Sequence, residues 1–153
     1  MSEADDLFAR AYGLSVVDEK HGEAIDICRE ALTLDPGNWR VHVFLGMLLS
    51  DHGTTDEREE ARKHFLDAIA LVKTNAELCD NWFEESALHH LAIWKWNHDN
   101  VLDARLLFFA DVITCGSKKS YEYLLKLLDT VSPDASSDLM LVIQKLASLK
   151  SPD

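Results

Sequence analysis

Turn-forming residues are scarce in this chain, with six glycines and three prolines among 153 residues. Together with the lack of any period-two stretch rich in β-branched residues, that scarcity argues against a sheet-based fold. Long apolar runs are also missing. Runs such as Leu106 to Ala110 fall far short of the ~20 residues that cross a bilayer, so no membrane partner is expected. The opening Met1-Ser2-Glu3-Ala4-Asp5-Asp6 is acidic and has no apolar core, which predicts no signal peptide and a cytoplasmic location. The three cysteines, at 28, 79 and 115, are odd in number and widely spaced. They are expected to be buried small hydrophobes in a reducing compartment rather than a disulfide framework. Runs of lysine and arginine do not occur, and 27 carboxylates against 15 cations give a net charge of −12. Such a field repels phosphate backbones and argues against a nucleic-acid partner. It keeps the chain soluble and steers a basic partner toward it.

Signatures of chemistry are equally sparse. The seven histidines stand at 21, 42, 52, 64, 89, 90 and 98. Glu60 with His64, and Glu85 with His89, are four apart and share a helix face, a spacing common for surface ion pairs. Neither pair has the Glu-then-His spacing of three used by di-iron bundles. The chain has no His-Glu-x-x-His, no paired CxxC, no glycine-rich phosphate loop and no nucleophile elbow. Cys115 precedes Gly116 at a helix end, where the dipole disfavours a thiolate. The expectation is a non-enzymatic protein with no catalytic residues, no metal and no cofactor.

What the sequence does contain is helical periodicity. Helices are predicted at about 3–17, 21–34, 38–51, 57–73, 77–98, 100–115, 118–130 and 136–150, joined by short turns that favour antiparallel neighbours. Asn38 is placed to cap the third helix and Thr55 or Asp56 the fourth, while Gly116-Ser117 ends the sixth. In the aromatic-rich stretch 82–109, Trp94, Phe108 and Phe109 are expected in the core between the fifth and sixth helices. Trp82 and Phe83 are the best placed for a homodimer contact.

A recurrence overlies the helices. Small residues at Ala24, Cys28 and Ala31 precede Pro36, and Leu45-Gly46 is followed by Ala61, Phe65, Ala68 and Leu71. A weaker version has Leu91-Ala92, then Ala104, Phe108 and Asp111. Over residues 5–115 these positions resemble the tetratricopeptide repeat, a helix–turn–helix of about 34 residues. The resemblance implies an all-α, right-handed α-solenoid in one domain, 1–153, with units at about 5–38, 39–75 and 76–117. A C-terminal helical pair, 118–150, covers the end. Tyr12 and Ser15 depart from the pattern, the interval around Ala76 to Glu84 is longer, and Asp111 stands where a small residue is usual. That aspartate is expected to loosen helix packing.

In this family the first helix of each unit lines a concave face. The resemblance thereby assigns a groove to Arg40, Val43, Phe44, Met47 and Ser50 in the second unit. In the third it assigns His89, His90, Ile93, Trp96 and Asn97. Apolar at its centre and polar at its margin, such a groove suits an amphipathic helix or an extended peptide. The lysines and asparagines that clasp acidic chaperone tails in part of this family are missing here. The implied function is an adaptor, scaffold or small chaperone that binds a basic or amphipathic protein segment. The competing reading is a self-assembling homodimer whose groove is closed by its own C-terminal helices.

Overall fold

A computed structural model describes residues 2–80, 86–127 and 136–149. Every regular element among them is an α-helix: α1 (Glu3–Val16), α2 (His21–Leu34), α3 (Trp39–His52), α4 (Thr55–Leu71), α5 (Asn75–Leu78), α6 (Ala87–Asn97), α7 (Val101–Cys115), α8 (Lys118–Leu127) and α9 (Ser137–Ser148). The helices form two compact units, Met1–Leu71 and Val72–Asp153.

Side-chain capping sets most of the helix starts. The Ser2 hydroxyl accepts from the Asp5 N–H while the Asp5 carboxylate accepts from the Ser2 N–H, closing a capping box on α1. Asn38 caps α3 as expected. For α4 the cap is Thr54, whose hydroxyl accepts from Glu57 N–H and whose own N–H donates back to Glu57. It precedes the expected Thr55 or Asp56 because the Thr54 carbonyl already accepts from the Arg58 N–H, which puts the helix start one residue earlier. Gly116, at φ 66°, ends α7 in the left-handed conformation that glycine adopts without cost.

In the first unit α1 pairs with α2, α2 with α3, and α3 with α4. The small residues of the recurrence are the contact points: Ala11, Ala24, Cys28, Ala31, Ala61 and Ala68 are all fully buried. Gly46 on α3 lets Phe65 of α4 approach closely. A Cβ built there would lie 2.6 Å from the Phe65 ring, and Phe65 is itself buried. Phe8, Val41, Leu45 and Leu49 complete a core that is almost wholly apolar. Burial of each large side chain contributes about 1.5–3 kcal/mol.

The second unit departs from expectation at its start. In place of one helix over 77–98 there are two, α5 and α6, and Ser86 begins the second. Its extended backbone and its hydroxyl, which accepts from His89 N–H, make it an N-cap, which stands at a helix start rather than inside one. Trp82, Phe83 and Glu85 lie outside the described residues, so the homodimer contact expected of the first two lies there as well. Helix α7 packs on α6 and on α8. Trp94 and Phe108 are buried there as expected, but Phe109 is half exposed. On α7 the inward positions are taken by Ala104, Leu107, Phe108 and Asp111, and Phe109 falls on the opposite side.

Candidate functional site

The ten residues assigned to a groove fall five in each unit. In the first, Val43 and Phe44 are buried, with the Phe44 ring 5.6 Å from Phe8 and 5.8 Å from Tyr12. Met47 and Ser50 are half-buried and Arg40 is exposed, its guanidinium 4.9 Å from the Trp39 ring centre. In the second, His89 is buried, His90 and Ile93 are half-buried, and Asn97 is exposed. Trp96 is half-buried, its ring 5.4 Å edge-on to Tyr123 of α8 and 6.4 Å from Phe108. Solvent reaches Arg40, Met47 and Ser50 on α3, and His90, Ile93, Trp96 and Asn97 on α6.

His89 belongs to a buried polar chain. The Ser120 hydroxyl donates to Asp111 at 2.6 Å, and the Ser86 hydroxyl donates to the other Asp111 oxygen. With its proton committed, Ser120 Oγ accepts from His89 Nδ1, 2.7 Å away. The order is carboxylate, hydroxyl, imidazole; a nucleophilic serine needs the imidazole in the middle. Asp111 therefore ties α6, α7 and α8 together. Two hydroxyls satisfy its buried carboxylate, which also lines a cavity of about 350 Å³ with Cys79, Ser86 and Cys115.

A second polar cluster has no counterpart in the sequence expectations. Lys95 lies 3.4 Å from Asp103 and 2.8 Å from Asp138, with Lys95 and Asp103 both buried. Asp103 also accepts from the Ser136 N–H at 3.1 Å and from the Ser136 hydroxyl. Ser136 in turn caps α9, so the cluster anchors that helix. Serine at a cap and lysine inside a helix are common in sequences, and neither residue alone signals that they meet.

The cysteine expectation is corrected. Cys79 and Cys115 form a disulfide across 36 residues, with Cα atoms 5.3 Å apart. Their separation in sequence carries no sign of this, since the folding of α5 onto the end of α7 brings them together. It also removes Cys115 from consideration as a free thiol. Cys28 is free and buried, and burial pushes its thiol up to about 12.

Of the two spaced Glu–His pairs, one is described. His64 Nε2 lies 3.2 Å from Glu60 Oε1. Burial pulls His64 below the ordinary histidine value, against the opposing Glu60 hydrogen bond.

A further unassigned feature is apolar. Leu106, Phe109 and Ile113 of α7, with Leu139, Val142 and Ile143 of α9, line an open cleft of about 280 Å³. Phe109 is 50% exposed and Ile113 66%. Met140 and Leu141 of α9 are also exposed. The signal for it was present in the sequence. Runs such as Leu106 to Ala110 and Leu139 to Ile143 cannot all face inward from a helix, which turns 100° per residue.

No protein-family model matches the chain, and comparison with curated proteins finds no match either.

Proposed function

We propose that this chain is a non-enzymatic interaction module that holds a protein segment against an apolar helical surface. Its helix pairs are read as tetratricopeptide-like units of a right-handed α-solenoid. Support for that reading comes from the buried small residues and from the fit of Gly46 on Phe65.

The observation that carries the function is the α7–α9 cleft, where Phe109, Ile113 and Ile143 remain open to solvent. Exposed apolar surface of this kind opposes solubility unless something covers it. The occupant is an amphipathic helix with a basic polar face. Spaced apolar side chains fill a cleft between two helices, and a net charge of −12 attracts the opposite face. Of the residues assigned to the groove in the second unit, His90, Ile93, Trp96 and Asn97 remain accessible to solvent.

The test is binding of a fluorescent model helix of alternating leucine and lysine faces. Phe109→Asp with Ile113→Asp should abolish binding and leave the helical circular dichroism unchanged. A lysine-free peptide of equal apolarity should bind more weakly, and less sensitively to salt. Equal binding by parent and double variant would reject the cleft.

A second reading has one observation of its own. Tyr123 lies edge-on to Trp96, as expected if the C-terminal helices fill the groove of a self-assembling protein. Sedimentation showing a dimer that Phe109→Asp dissociates would favour it.

A further inference from the structure

Two histidines of the α3–α4 pair turn their Nδ1 nitrogens toward each other. His42, buried on α3, has its Nε2 2.9 Å from the carbonyl oxygen of Pro36. A carbonyl can only accept, so that nitrogen carries the ring proton. His64, on α4, has its Nε2 3.2 Å from Oε1 of Glu60, one turn earlier. The other Glu60 oxygen accepts from Arg29 at 3.1 Å, which marks Glu60 as an ionised acceptor. The His64 proton therefore sits on Nε2 as well.

A neutral imidazole has one N–H, so both Nδ1 atoms present lone pairs. They are 3.0 Å apart. Two acceptors at that distance repel unless an electrophile lies between them. Asp67, one turn beyond His64 on the same face of α4, completes the group. One ligand atom from each of His42, His64 and Asp67 lies within 4.8 Å of the other two.

We propose that His42, His64 and Asp67 form a binding site for a divalent transition metal of the zinc class. An ion held at about 2.0–2.1 Å from each Nδ1 fits between nitrogens this close, with the two bonds near a right angle. Asp67 is exposed, so its carboxylate is free to swing toward the ion and solvent completes the coordination. The outer partners follow the arrangement common to metal-ligating histidines. Each ring donates its second N–H to a carbonyl or carboxylate, which fixes the tautomer and orients the ring. Two imidazoles and one carboxylate favour zinc, cobalt or nickel over magnesium and calcium, which take oxygen ligands. The site lies wholly within the first unit and is independent of the function proposed above.

The competing occupant is a shared proton, and metal titration of the full chain separates the two. Protein stripped with a chelator is titrated with Co²⁺, then with Zn²⁺ to displace it. Expected are one visible cobalt absorption band saturating at one equivalent, its loss on adding zinc, and a zinc-dependent rise in Tm. His64→Gln should eliminate the band. Asp67→Asn changes only an exposed side chain and keeps the fold, and it should weaken zinc binding by about tenfold or more, the lower end for loss of even an outer-shell group. His21 and His52 form a stacked, more exposed pair with ring centres 3.6 Å apart, so His52→Gln serves as the control and should change nothing. Absence of a one-equivalent band assigns the gap to a proton and overturns the proposal. A band that survives His64→Gln and Asp67→Asn, or that vanishes in His52→Gln, overturns it as well.

Discussion

Both compact units bury apolar side chains, but they place their charges differently. The first buries apolar and small side chains and keeps its ion pairs outside. There Arg29 of α2 reaches Glu57 and Glu60 of α4, each at 3.1 Å, with its side chain 41% exposed. The second buries charge and exposes hydrocarbon. Among the described residues, the buried ionic side chains Lys95, Asp103 and Asp111 all belong to it. So do most of the large exposed hydrophobics, from Leu106 to Ile143. Helices in the first unit meet through side-chain volume, as Gly46 accommodates Phe65. In the second, hydrogen-bonded carboxylates and a disulfide link helices that also bury Leu88, Leu91, Leu107 and Phe108, while other apolar side chains face outward. A unit tied together by specific polar links can present an apolar surface without collapsing onto it. That is the arrangement an interaction surface requires.

The comparison breaks most severely at Lys95. Replacing it with methionine keeps the volume but leaves Asp103 and Asp138 close together without their cation. Loss of one partner from a buried ionic cluster costs about 3–5 kcal/mol. Denaturant unfolding should register that loss, with α9 released first because its cap rests on Asp103. Hydrogen exchange of the α9 amides provides the local readout. An unchanged midpoint would mean the cluster is not what holds the second unit together.

A smaller effect is expected at the fit between α3 and α4. Gly46→Ala places a methyl group against the Phe65 ring, which is buried and has no open side to move into. Overpacking of this kind costs about 1–3 kcal/mol. Ala24→Leu and Ala68→Leu should fall in the same range, since both positions are fully buried. Thermal melts of the three variants measure it. Stability equal to the parent in all three would remove the basis for reading these small residues as helix contacts.

How much of each unit was legible follows from the same contrast. A small residue at helical spacing is a local signal, and the recurrence of Ala24, Ala31, Ala61 and Ala68 placed α2 and α4 within a few residues. The second unit depends on pairings distant in sequence. Ser86 with Asp111, Lys95 with Asp138, and Cys79 with Cys115 each join residues separated by 25 or more positions, and no local pattern marks them. Ser86 could have been read as a cap, because serine before an apolar run is a helix-start signal. Helical composition on both sides masked it. The apolar cleft was visible only as runs such as Leu106 to Ala110, judged against membrane length and not against the width of a helix face. His42 and His64 stand 22 positions apart, so their meeting needed the α3–α4 pairing to be known.

Arg29 offers the finest test of the contrast, because its geometry is good and its expected effect the smallest. It reaches two carboxylates at 3.1 Å, closer than Lys95 approaches Asp103. Judged by distance alone, it should matter as much. Water surrounds it, however, so the attraction is screened and the long side chain gives up freedom to hold its position. Arg29→Met should accordingly leave the unfolding midpoint within the scatter of the parent, and raising the salt concentration should change neither protein by a different amount. The Glu57 carboxylate keeps its Thr54 N–H partner in the variant, so the α4 start should survive. If Arg29→Met instead lost as much stability as Lys95→Met, ion pairs would be equally important inside and outside. The division between an apolar-packed first unit and a polar-linked second unit would then no longer hold.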